Sequence, residues 1–96
     1  MLVWVIYDIQ SNKVRNRLIK ICKNAGLYRV QKSVFLGDIE ENRMDELKLQ
    51  AGELIDKDKD SVYVFTMSKS DLNKAGLLGQ AFDKELVSDE ILSKFF

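Results

Sequence analysis

Residues Leu2 to Leu18 read LVWVIYDIQSNKVRNRL. A run of β-formers, Leu2, Val3, Trp4, Val5, Ile6 and Tyr7, stops at a carboxylate, Asp8. A short polar link, Gln10-Ser11-Asn12, then opens a helix with Lys13, Arg15 and Arg17 in its first turns. Apolar residues on both faces of the run mark it as a central strand of a covered sheet. An acid at the end of such a strand, beside a helix start rich in cations, suits the handling of phosphates with or without a metal ion.

Outward from that stretch, the helix is expected over Asn12 to Ala25, capped by Ser11 or Asn12 and closed by Gly26. Val14, Leu18, Ile21, Cys22 and Ala25 recur at helical spacing and form its core stripe. Lys13, Asn16, Lys20, Lys23 and Asn24 fall on the far side, with Arg15 and Arg17 on the flanks, their stems along apolar surface. Tyr28 to Leu36 reads as a second strand whose polar Gln31-Lys32 pair implies an edge position or a bulge. A second helix, Glu40 to Asp56, carries Met44, Leu47, Ala51, Leu54 and Ile55 inward and an acidic face outward. Lys57-Asp58-Lys59-Asp60 reads as a solvated turn. Ser61 to Ser68, apolar on both faces, is expected to be another central strand. Beyond it, Ser70 to Lys74 fits one helical turn, Leu77-Leu78 a short strand, and Ile91 to Phe96 a last strand or apolar tail.

The element order β-α-β-β-α-β is the ferredoxin-like one. The expected fold class is therefore α+β: a four-stranded antiparallel sheet with strands one and three in the middle and two helices on one face. One domain covers residues 1–96, with a core at 1–80 and a C-terminal tail at 81–96 whose two adjacent phenylalanines need cover. A sheet face bearing Trp4, Tyr63 or Phe65 needs cover, and homodimerisation through that face supplies it.

The formal net charge of zero conceals a division. From Met1 to Gly37 there are seven basic residues (Lys13, Arg15, Arg17, Lys20, Lys23, Arg29 and Lys32) against the single acid Asp8. The rest of the chain holds eight basic and fourteen acidic residues, so the two parts cancel. Such a molecule can turn a basic face to a polyanion, although a solvated helix face accounts for the same charges. The lone cysteine, Cys22, excludes an internal disulfide and fits the cytoplasm. The longest apolar run, Leu2 to Tyr7, is far too short for a membrane span.

The absence of histidine excludes Ser-His-Asp and Cys-His machinery and any His-ligated metal. Cys22 lies on a core stripe, where a packed, inert thiol is expected. The five glycines are scattered, so there is no glycine-rich phosphate loop. Asp8 remains. Strand-end aspartates are also common turn and cap residues; Tyr7, Ser33 and the arginine pair are what set this one apart. One carboxylate cannot build a metal cage, but Mg²⁺ commonly takes one or two and keeps several waters. Two Asp8 side chains meeting across a dimer axis would make such a site and activate a water against a phosphodiester.

Three motifs then stand in order: Val5-Ile6-Tyr7-Asp8-Ile9, Arg15-Asn16-Arg17-Leu18, and Gly26-Leu27-Tyr28-Arg29-Val30-Gln31-Lys32-Ser33-Val34-Phe35-Leu36-Gly37. Together they closely resemble the small CRISPR-associated adaptation nuclease family, CRISPR-associated protein two. The likeness is clear over residues 1–68 and looser through Leu77-Leu78-Gly79 to Phe95-Phe96. It implies a ferredoxin-like homodimer that partners the CRISPR integrase during capture of spacer DNA, and Mg²⁺-dependent endonuclease action on single-stranded RNA or duplex DNA. Asp8 matches the family's metal-binding, catalytic aspartate; Tyr7, Arg15, Arg17, Ser33 and Phe35 match other motif positions. The family's last strand often crosses to the partner, which would cover Ile91 to Phe96.

The candidate site is thus Asp8 as catalytic and Mg²⁺-binding residue at a dimer interface. Arg15, Arg17, Lys13, Lys20 and Arg29 are its nucleic-acid contacts, and Tyr7, Ser33 and Phe35 support it. Two roles are compatible with this set: a hydrolase, and an adaptor whose dimer spaces two integrase subunits and cradles DNA. With no second carboxylate beside Asp8 in one chain, the adaptor is favoured as the biological role. A small-molecule-binding regulatory domain of ferredoxin-like shape is the alternative.

Overall fold

In the computed structural model, which describes residues 1–83 and 93–95, the opening run forms β1 (Leu2–Asp8). Ser11 caps α1 (Asn12–Asn24), its hydroxyl accepting the Val14 N–H at 3.3 Å. Gly26 follows at φ +100°, a left-handed turn that an L side chain would strain. The chain continues through β2 (Tyr28–Gln31), β3 (Val34–Asp38), α2 (Glu41–Leu54), β4 (Ser61–Met67) and α3 (Lys69–Lys74). All strand pairs are antiparallel, in the order β2-β3-β1-β4. This is the ferredoxin-like α+β arrangement, with the first and third strands in the middle.

Expectations for three segments change. Tyr28 to Leu36 is not one strand but a hairpin that turns at Lys32 and Ser33. The polar pair marks this turn, the register shifts between Arg29 and Gln31, and β2 is the outermost strand on that side among the described residues. Among the described residues, Ser61–Met67 pairs only with β1 and lies at the opposite end of the sheet, not at its centre. Its apolar outer positions are left open instead of covered: Tyr63 is 62% exposed and Phe65 is exposed as well. Leu77-Leu78 forms no strand, and Leu78 is 87% exposed. Of the tail Ile91 to Phe96, the residues Ile91, Leu92 and Phe96 lie outside the described set, as do residues 84–90.

Alternation along β1 builds two cores. Val3, Val5 and Tyr7 face α1 and α2 and pack with Leu18, Cys22, Phe35, Leu47 and Ala51. Trp4 points the other way and joins Val30, Leu36, Leu72 of α3 and Phe95. The second face is therefore half covered within the chain. Trp4, expected on an open surface, is buried, while Ile6 beyond it is exposed beside Tyr63, its register partner on β4. Phe35 is fully buried at the centre of the first core, where truncation to alanine costs about 3–5 kcal/mol.

Candidate functional site

Antiparallel pairing brings four segments to one end of the sheet. Ile6 pairs with Val34, so the β2–β3 turn stands beside Tyr7 and Asp8. Asp8 pairs with Ser61, so the loop before β4 stands on its other side. The link to α1 and that helix's first turn, with Lys13, complete the group.

Asp8 continues the outward positions of β1, on the face of Trp4 and Ile6 and away from α1 and α2. It is exposed, and its carboxylate has no hydrogen bond or ion pair among the described residues. Tyr7 points inward and works differently. Its hydroxyl donates to the Lys32 carbonyl at 2.8 Å, and Arg29 donates to the same oxygen through Nε at 3.2 Å and Nη2 at 2.8 Å. Burial raises the Tyr7 pKa, offset in part by the Arg29 guanidinium, so the phenol stays protonated and acts as a donor. The Ser33 carbonyl accepts the Tyr7 N–H at 3.1 Å. Phe35 packs its ring 6.3 Å from that of Tyr7. Tyr7, Arg29, Ser33 and Phe35 therefore secure the hairpin turn beside Asp8.

Of the remaining cations, Arg15 reaches back to donate Nη1 to the Ile9 carbonyl at 3.0 Å. Arg17 and Lys20 border a groove between the two helices with Gln50 and Glu53, in the layer opposite Asp8's face. The structure thus gathers Asp8, Tyr7, Arg15, Arg29 and Ser33 at one end, and sets Arg17 and Lys20 apart. Sequence reasoning missed Asp60, which it assigned to a solvated turn. Its Oδ1 accepts the Gln10 N–H at 2.9 Å and its Oδ2 the Asp56 N–H at 3.0 Å. Its place directly before a strand that pairs with β1 is the signal that could have found it.

No group of three His, Cys, Asp or Glu residues suited to a metal ion occurs among the described residues. A single exposed, unpartnered carboxylate does fit one protein ligand of a largely hydrated Mg²⁺, or half of a site shared between two copies. No helix among the described residues is long and apolar enough to cross a membrane.

Comparison with known proteins agrees with the motifs. The family described as CRISPR associated protein Cas2 matches residues 1–75. The CRISPR-associated endoribonuclease Cas2 of Desulforudis audaxviator (strain MP104C) is 37% identical over 68 residues, which are 71% of this chain and 64% of that one. The CRISPR-associated endonuclease Cas2 of Halalkalibacterium halodurans is 33% identical over 84 residues, 82% of this chain and 86% of that one. Among solved structures, the crystal structure of Streptococcus pyogenes Cas2 at pH 6.5 superimposes with a TM-score of 0.68 at 27% identity. It covers 82% of this chain and 100% of its own.

Proposed function

Because this chain belongs to the Cas2 family of CRISPR-associated proteins, we propose that it acts in CRISPR adaptation as a homodimer and Mg²⁺-dependent endonuclease. The dimer bridges integrase subunits and holds spacer DNA in the cytoplasm. The observation that carries this reading is the Asp8 carboxylate, without a partner among the described residues and on the face where Ile6, Tyr63 and Phe65 are exposed. Pairing two copies over that face hides the apolar side chains and brings two Asp8 residues toward one site. Residues 1–80 form the folded core in this reading, and Phe82 and Phe95 pack on it within the chain.

Hydrolysis is supported by the names of the relatives, endoribonuclease and endonuclease. In such a reaction a water oxygen attacks phosphorus, the bond to one ester oxygen breaks, and that oxygen leaves with a proton. Asp8 would hold Mg²⁺, which when bound supplies Lewis acidity for the phosphate and its nucleophile. Arg15 has one nitrogen on the Ile9 carbonyl and the rest of its fork for phosphate. Lys13, Arg17, Lys20 and Arg29 add contacts to the backbone of DNA or single-stranded RNA, which position the polymer without reading its sequence.

Asp8→Ala, assayed in parallel for cleavage and for spacer integration, tests both roles. Lost cleavage with intact integration makes the adaptor role primary. Integration lost while cleavage survives would overturn the assignment of Asp8 as the cleaving residue.

A further inference from the structure

The Ile9 carbonyl and the Gln10 N–H belong to the same peptide group, the second one after Asp8. Its oxygen accepts Arg15 Nη1 at 3.0 Å and its N–H donates to Asp60 Oδ1 at 2.9 Å. A cation and an anion therefore grip opposite ends of one peptide dipole, each through a charge-assisted hydrogen bond. Ile9 is itself buried in the core. A planar peptide leaves only φ and ψ between one plane and the next, so holding this plane restricts the way β1 leaves the sheet and presents Asp8.

Asp60 is in turn anchored. Its Oδ2 accepts the Asp56 N–H at 3.0 Å, and its own N–H donates to the Asp56 carbonyl at 2.8 Å. Asp56 Oδ1 accepts the Asp58 N–H at 3.0 Å, closing the loop on itself. Both Asp60 oxygens thus already accept amide protons, one within the loop and one across to the β1–α1 link. This division fits a residue that holds backbone and not one that ligates a metal.

We propose that Asp60 is a positioning residue: with Arg15 it clamps the Ile9–Gln10 peptide and thereby sets the direction of the Asp8 carboxylate. The proposal rests on Asp8 as the reactive carboxylate, and its test separates the two. Asp60→Ala and Asp60→Asn are compared with Asp8→Ala in three measurements. These are Gln10 amide hydrogen exchange by NMR, cleavage of single-stranded RNA against Mg²⁺ concentration, and thermal melting. Asp60→Ala should speed Gln10 exchange about tenfold or more, as expected when one charge-assisted bond is removed. It should also raise the Mg²⁺ concentration for half-maximal cleavage several-fold. Asp60→Asn keeps an acceptor oxygen but not the charge, so it should fall between, and it serves as the test if the alanine variant does not fold. Unchanged Gln10 exchange in a folded variant overturns the clamp. Faster exchange with wild-type Mg²⁺ dependence, in a protein whose Asp8→Ala variant is inactive, overturns the link to Asp8 alone. Wild-type cleavage by Asp8→Ala overturns the Asp8 reading itself, and the proposed role of Asp60 with it.

Discussion

Two central strands of this sheet end in an aspartate, at opposite ends of the molecule: Asp8 closes β1 and Asp38 closes β3. Asp38 has its charge answered inside the chain. The amino terminus of Met1 lies 2.8 Å from its Oδ1 and also donates to the Ile39 carbonyl at 3.1 Å. Ile39 returns its N–H to the Met1 carbonyl at 3.0 Å, and Gly37 packs its bare Cα side against Leu27. Asp8 has no such answer among the described residues. Around it the backbone is held just as carefully, by Tyr7, Arg15, Arg29 and Asp60, yet its own carboxylate is left outward. The same residue type at the same kind of position is tied into the fold where the amino terminus neutralises it, and left without an ion pair among the described residues where Tyr7, Arg15, Arg29 and Asp60 turn to backbone groups.

Substitution at the two aspartates is the most direct way to break that contrast. Asp8→Ala should reduce cleavage about a hundredfold or more, the scale of losing a metal ligand or charge stabiliser. Asp38→Ala should leave cleavage within about twofold and move the melting temperature little, because exposed ion pairs contribute about 0–1 kcal/mol. Equal losses of cleavage at both positions would remove the distinction.

Next in size is the close packing at the Asp38 end. A Cβ added at Gly37 would lie 2.8 Å from Leu27 Cδ2 and 3.0 Å from Leu27 Cα. The second of these neighbours is backbone, which cannot swing aside, so Gly37→Ala should cost about 1–3 kcal/mol in denaturant unfolding. Cleavage per folded molecule should persist. A variant as stable as wild type would mean that this end is looser than its geometry indicates.

Salt dependence sharpens the other side of the comparison. Arg17 and Lys20 lie in the helix layer, apart from Asp8. Replacing both with alanine should weaken DNA binding and flatten the slope of log K against log salt by about 0.9 for each phosphate no longer neutralised. Catalysis at saturating substrate should change less than with Asp8→Ala. An unaltered slope would make these two side chains solvated flank residues.

The last contrast lies in the core beneath both ends and shows only at high pH. Burial pushes the Cys22 thiol from 9.0 up to about 12. Between those values the unfolded chain gives up a proton that the folded chain keeps. Stability contributed by the neutral thiol is therefore complete below about 9 and is lost as pH rises toward about 12. Tyr7, also raised, adds to the decline with the same sign. Denaturant unfolding across this range should lose part of its pH slope in Cys22→Ala, and thiol reagents should leave the native protein unmodified at neutral pH.

Much of this was legible in the amino-acid sequence because it depends on local pattern. The two-sided apolar run of Leu2 to Tyr7, the Ser11 cap, the stripe through Leu18 and Cys22, and the Gly26 stop each follow from propensity and periodicity over a few residues. With the motifs from Val5 to Gly37 they were enough for the α+β class and the ferredoxin-like order, and they singled out Asp8 as the candidate to test. What periodicity could not decide was which apolar face finds cover inside the chain. Trp4 gained α3 and Phe95 above it, while Tyr63 and Phe65 stayed exposed on a strand that looked central. Nor could charge counting assign the cations, since Arg29 and Arg15 turn to carbonyl oxygens while Arg17 and Lys20 lie on another layer. The hydrogen bonds of Asp60 escaped the sequence pattern for the same reason. Its hydrogen bond to Gln10 joins residues fifty positions apart, and only the antiparallel pairing of β1 with β4 brings them together.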